Sequence, residues 1–219
     1  MLLAACAPAG RAPPPAERVR PAQAAAPAGS HYRIDAARSE VRVLVYRAGP
    51  LARLGHNHVL LVGGLTGEVW LPADPAAARF ALSFPVAAFA IDEPAARRAE
   101  GEEFAVDPGA EDIAGTRRNL EGPALLDAAR YPEVRLDGVA GRDGNGLVAH
   151  CQVRVRDHTL ELDVPVALES APGEIVVRGG FSVNHAALGL APFSVGLGAL
   201  RVRDELAVRF RLVAAAGPG

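Results

Sequence analysis

Two histidines one residue apart, His56 and His58, are the sharpest polar feature of the sequence. On a strand, residues two apart project to the same face, with Cα atoms about 6.6 Å apart. Two imidazoles so placed could share a metal, but a catalytic zinc needs a third protein ligand. His185 or Asp92 could supply it only if the fold brings one of them near. In the competing reading the histidines hydrogen-bond backbone at the end of a barrel, or touch the polar head of a ligand. Cys151 shares strand parity with Leu147, Ala149, Val153 and Val155, which predicts an inward, apolar thiol and no nucleophile. The acidic pairs Asp92-Glu93, Glu102-Glu103 and Glu111-Asp112 are flanked by loop residues and read as solvated loops. Gly-x-Ser-x-Gly, a phosphate-cradling glycine loop, His-Glu-x-x-His and Cys-x-x-Cys are all missing from the sequence. The expectation is a protein that binds and does not catalyse.

The elements that would position these residues show a period of two. Val41, Val43 and Val45 alternate with Arg42, Leu44 and Tyr46. Leu160 to Leu168 and Arg201 to Leu212 repeat the pattern, which marks antiparallel strands with one buried and one wet face. Further strands are expected at 58–71, 79–91, 133–140, 146–156 and 175–183, with Gly63, Gly64 and Gly67 suiting a bulge in the first of these. Turn chemistry at Asp74-Pro75, Asp143-Gly144-Asn145-Gly146, Asp157-His158 and Pro172-Gly173 separates them. About eight strands at regular spacing predict an all-β antiparallel barrel or sandwich. Residues 110–130 break the pattern and read as one or two short helices, interrupted near Gly122-Pro123, placed to cover one barrel mouth.

Composition narrows the class. The 219 residues are 50% hydrophobic but only 5% aromatic, so Val, Leu and Ala must fill the interior. A formal net charge of −2 without runs of like charge excludes the basic footprint of a nucleic-acid binder. No apolar stretch reaches the roughly 18 residues of a membrane-spanning helix. Two cysteines in unlike contexts, Cys6 and Cys151, do not make a disulfide framework. Leu3-Ala4-Ala5-Cys6 is similar to a lipobox, in which the cysteine is acylated. The positive n-region and longer apolar stretch of a complete signal do not precede it, so 1–30 reads as a truncated lipoprotein-type signal and Pro/Ala-rich linker. The barrel domain is expected at 31–214, with a disordered tail at 215–219.

Six landmarks in order resemble the YceI-like family of bacterial proteins. They are Tyr32-Arg33-Ile34-Asp35 with Ser39-Glu40-Val41, then Gly55-His56-Asn57-His58, then Leu65-Thr66-Gly67-Glu68-Val69. Ala129-Arg130-Tyr131-Pro132-Glu133-Val134, the Asp157-His158-Thr159 hairpin with Leu162-Val164-Pro165-Val166, and Phe181-Ser182-Val183-Asn184-His185 with Leu188-Gly189-Leu190 follow. The Gly-His-x-His variant, Asp157-His158 where the family usually has Gly-Val-Thr, and Leu-Gly-Leu in place of Phe-Gly-Ile depart from its commonest pattern. The resemblance implies a lipocalin-like barrel of about eight strands, a periplasmic location and binding of a polyisoprenoid chain such as a quinone tail. It implies no catalysis.

Small barrels come both filled and hollow, and composition leaves the two equally open. The family resemblance favours the hollow form. Strand parity then selects Val43, Val45, Leu61, Leu65, Phe84, Val86, Phe181 and Phe210 as lining residues, with His56, His58 and His185 as head-group or metal contacts. The expected partners are a long-chain isoprenoid or fatty ligand, a membrane reached through a lipid on Cys6, and a second copy in a homodimer. No cofactor is expected beyond a bound isoprenoid lipid or quinone. Two rival readings stand beside this one: a metal-binding protein or metal-dependent hydrolase using His56 and His58, and a filled barrel serving as an envelope protein-interaction module.

Overall fold

Alternating side chains become strands because one apolar face can be buried only if neighbouring strands extend the same surface. The computed structural model describes residues 29–144 and 146–217. Cys6 and most of the linker lie outside them. Twelve strands form: β1 (Ser30–Ile34), β2 (Glu40–Ala48), β3 (His58–Leu61), β4 (Thr66–Leu71), β5 (Arg79–Pro85), β6 (Ala90–Ile91), β7 (Glu133–Asp143), β8 (Gly146–Val155), β9 (His158–Ala171), β10 (Glu174–Asn184), β11 (Ser194–Val195) and β12 (Leu200–Ala216). Two helices, α1 (Pro94–Ala99) and α2 (Ala110–Glu121), sit between β6 and β7.

All pairings are antiparallel, and β12 closes the sheet by pairing with β1 as well as with β10. Three staves are bent. β1 and β2 both run along β12, β3 and β4 continue each other beside them, and β6 continues β5. Counting each bent pair once gives a closed, eight-stranded, up-and-down barrel. The last strand runs to Ala216, past the expected boundary at 214, because Ala215 and Ala216 pair with Arg33 and Tyr32.

The bends have local causes. At the first, Asp35 Oδ1 accepts from the Ala37 and Arg38 N–H groups, and Ser39 Oγ bonds both backbone groups of Val213. At the second, the chain passes so close to the third bend that a Cβ on Gly63 would lie 2.3 Å from the Ala88 carbonyl oxygen. At the third, a 3₁₀ turn over Val86–Ala88 replaces the strand, and the Val86 N–H donates to the Pro132 carbonyl.

α2 is the expected helix. The Gly109 N–H donates to Asp112 at its start, Arg117 and Glu121 pair one turn apart, and it stops before Gly122-Pro123. Leu120, Leu125 and Leu126 turn inward from this segment and cover one mouth of the barrel. The region around α1 was expected to be solvated loop. Instead residues 92–107 return across the outside of β2 and β3, where Ala96 and Phe104 bury Leu44 and Val59.

Candidate functional site

The barrel is hollow. It encloses a cavity of about 410 Å³, within the range of roughly 300–1,000 Å³ usual for small-molecule pockets. This contradicts the filled-barrel reading. The walls are built from the unbroken parity of β7 to β10: Leu136 and Ala140, Ala149 and Val153, Val164 and Val166, Val177 and Phe181 all face inward. Two glycines keep the interior open. Gly138 pairs with Phe80 and Gly179 with Phe210, and a Cβ on either would lie 2.7 or 2.5 Å from the partner ring. Each ring therefore lies along the wall over its glycine, where a side chain would have pushed it into the cavity.

Six of the eight lining residues read from parity line the cavity: Val43, Val45, Leu65, Phe84, Phe181 and Phe210. Leu61 does not; it packs outside, beside Leu44 and Val59. The reason is the second bend. His58, Leu60 and Val62 face inward before it, and Leu65, Val69 and Leu71 after it, so the phase slips by one residue. Val86 is fully buried but belongs to the 3₁₀ turn, where the inward parity of Phe80, Leu82 and Phe84 has ended.

Among the described residues only His58, Thr116, Asn119 and His185 bring polar side chains other than a thiol to the lining, and none that lines it is an Asp, Glu or Arg. His58 opens β3 and His185 follows β10, and these strand ends lie at the mouth that α2 covers. Thr116 and Asn119 are three apart on α2 and share its inner face. Reading 110–130 only as a cover missed them; the i, i+3 spacing of Thr116 and Asn119, with Leu120 at i+4, was the available signal.

Both histidines are fixed through Nδ1. His58 Nδ1 lies 2.6 Å from Asp92 Oδ2, and His185 Nδ1 lies 2.7 Å from the Asp204 carbonyl oxygen. A carbonyl and an ionised carboxylate can only accept, so in the neutral ring Nδ1 carries the hydrogen and Nε2 keeps a lone pair. Neither Nε2 makes a hydrogen bond among the described residues. With neutral rings the cavity thus offers two imidazole acceptors, beside the Thr116 hydroxyl and the Asn119 amide, at one end and hydrocarbon elsewhere.

Asp92 is the main residue that sequence reasoning misplaced. Its carboxylate is buried, with Oδ1 accepting from the Val59 N–H at 2.9 Å and from Arg97 at 2.5 Å. Burial pushes the Asp92 carboxyl up, but the His58 hydrogen bond and charge, the Val59 N–H and Arg97 outweigh it and hold it below its ordinary value. Arg97 is itself fully buried and also donates to the carbonyls of Asn57 and Val106. Asn57 closes the network, accepting from the Arg47 N–H and donating to the Glu103 carbonyl.

The fold does bring Asp92 to His58, as the metal reading required. Both carboxylate oxygens are already engaged, and His56 lies in the loop between β2 and β3, off the strand. Among the described residues no three His, Cys, Asp or Glu side chains converge in a metal-binding group. Cys151 faces the cavity, and desolvation, followed by the Asp163 charge, pushes its thiol up to about 11. A thiol so raised stays protonated at neutral pH.

No protein-family model matches the sequence, and no curated protein does. Solved structures match the fold. The chain is similar to BcnA of Burkholderia cenocepacia, at 17% identity and a TM-score of 0.61, over 83% of this chain and 99% of that one. It is similar to a polyisoprenoid binding domain from Saccharophagus degradans implicated in plant cell wall breakdown, at 11% identity and a TM-score of 0.56, over 85% and 98%. It is also similar to the YceI protein of Campylobacter jejuni, at 9% identity and a TM-score of 0.52, over 73% and 85%. The closed antiparallel barrel of eight strands with few helices has the YceI-like fold.

Proposed function

We propose that this protein binds one long apolar lipid chain of the polyisoprenoid class, and sequesters or carries it in the bacterial cell envelope. The observation that carries the reading is the cavity's division of labour: apolar walls throughout, and hydrogen-bonding groups at one end only. A tail of about 300 Å² buried at about 25 cal/mol per Å² supplies on the order of 7 kcal/mol before the costs of association. His58 and His185 then select the head group. In neutral rings their Nε2 atoms accept from a hydroxyl, as on an isoprenoid alcohol or a reduced quinone, with Thr116 and Asn119 beside them. The polyisoprenoid-binding domain among the structural neighbours supports the same ligand class.

Solvent extraction of protein purified from membrane-containing cells, followed by mass spectrometry, tests it. A co-purifying prenyl lipid is expected, and Val45→Asp, folded by circular dichroism, is expected to lose it. Undiminished lipid in Val45→Asp, or repeated extracts without lipid from the unsubstituted protein, would overturn the reading.

A further inference from the structure

Five of the seven large hydrophobic side chains exposed among the described residues fall in two short segments: Leu51, Leu54, Phe193, Val195 and Leu197. The segments are one surface. The Leu51 N–H donates to the Ala199 carbonyl, β11 pairs with the start of β12, and Gly49 packs against the backbone of Gly198 and Ala199. Gly196, Leu197 and Gly198 all have positive φ, a left-handed run that turns the Leu197 side chain fully into solvent. Leu54, in the other segment, is 65% exposed. A protein does not ordinarily spend its most exposed positions on clustered leucines, and such a patch marks an interaction site.

Two further facts say what covers it. First, residues 47–55 and 193–203 contain Arg47, Arg53, Arg201 and Arg203 and no acidic residue, on a chain whose net charge is −2. Apolar tips carried on arginine-bearing segments fit an interface between hydrocarbon and anionic head groups, where guanidinium stems can lie along the apolar surface. A second copy of the same patch would set like charges against each other. Second, the patch is continuous with the cavity: Phe193, just before β11, and Val202 in β12 line it.

We propose that this patch docks the barrel mouth onto an anionic phospholipid membrane, with Leu54 and Leu197 inserting among the head groups. Docking goes beyond lipid binding in the cavity and does not depend on it. If both hold, the mouth that α2 covers faces the reservoir from which an apolar chain is drawn.

Vesicle flotation tests the docking, using the full chain with Cys6→Ser so that no covalent lipid contributes. Vesicles of phosphatidylglycerol with phosphatidylcholine are compared with phosphatidylcholine alone. Binding is expected to the anionic vesicles, weakening as salt rises. Leu54→Ser and Leu197→Ser are each expected to lower the partition coefficient about tenfold. Arg53→Gln with Arg201→Gln is expected to cost about fivefold per arginine on anionic vesicles only. Val45→Asp is expected to keep vesicle binding while losing cavity lipid, which separates failure of docking from failure of ligand binding. Three outcomes overturn the proposal: no vesicle binding, equal binding by the leucine variants, or a solution dimer that Leu197→Ser disperses.

Discussion

The two faces of the β2–β3 wall are both dry, yet they are dry for different reasons. On the inner face Val43, Val45 and Leu60 border the cavity. On the outer face Leu44 and Val59 are fully buried under Ala96 and Phe104, and the cover is pinned by the Asp92–Arg97–Asn57 network. His58 belongs to both, with its ring in the inner wall and its Nδ1 bonded to the outer Asp92. The difference teaches where stability and function are divided. An open interior gives up packing contacts so that a ligand can supply them, and the outer cover provides the rigid support the inner wall lacks.

Removing Arg97 should break that support most severely. Arg97→Ala leaves the buried Asp92 carboxylate without its ion-pair partner, and the carbonyls of Asn57 and Val106 lose a donor. Breaking a buried pair from one side costs about 3–5 kcal/mol. Equilibrium urea unfolding should report a loss of that size, and Asp92→Asn with Arg97→Met should recover part of it. A loss under about 1 kcal/mol would mean that the network covers the wall without holding it.

A paired truncation sharpens the contrast between faces. Leu44→Ala removes a side chain enclosed on all sides and should cost about 2–5 kcal/mol. Val43→Ala, one residue away, trims a side chain that already borders empty space, and should cost about 1 kcal/mol. The ligand should respond in the opposite order, with Val43→Ala altering lipid retention and Leu44→Ala leaving it intact in the folded fraction. Equal costs at the two positions would erase the proposed division.

The inner face was largely legible in the sequence, and the outer one was not. From β7 to β10 the alternation runs without interruption, so parity alone placed Cys151, Phe181 and the rest of that wall. It failed at Leu61 and Val86 because a two-residue period carries no memory through a bend, and the second and third bends each reset it. The outer cover escaped for another reason. A strand covered on both sides shows apolar residues at both parities, as Leu44, Val59 and Leu61 do, and neighbouring wet strands make such residues look incidental. Asp92, Arg97 and Asn57 meet only through tertiary contacts, and Asp92-Glu93 in isolation looks like any solvated acidic pair. The histidine spacing was visible but its meaning was not, because His56 precedes the strand on which the pairing argument depended.

The smallest effect is a pH dependence, and it belongs to the residue that links the two faces. The folded protein holds the Asp92 carboxyl below its ordinary value, against burial, chiefly through His58. In the unfolded chain the same group titrates near 3.9. Folding therefore favours the ionised form, and that stabilisation is complete above the unfolded pKa. As pH falls from there through the lower folded value, the unfolded state takes up the proton first and the stabilisation is lost. Asp92→Asn cannot titrate, so its unfolding free energy should lack this contribution at every pH. The gap between the two proteins, followed from about pH 6 to about pH 2, should be constant at first and then shrink on the acid side. A gap that stays constant to the lowest pH would show that Asp92 is not held ionised. The fixed hydrogen on His58 Nδ1, and with it the acceptor turned into the cavity, would then lose its foundation.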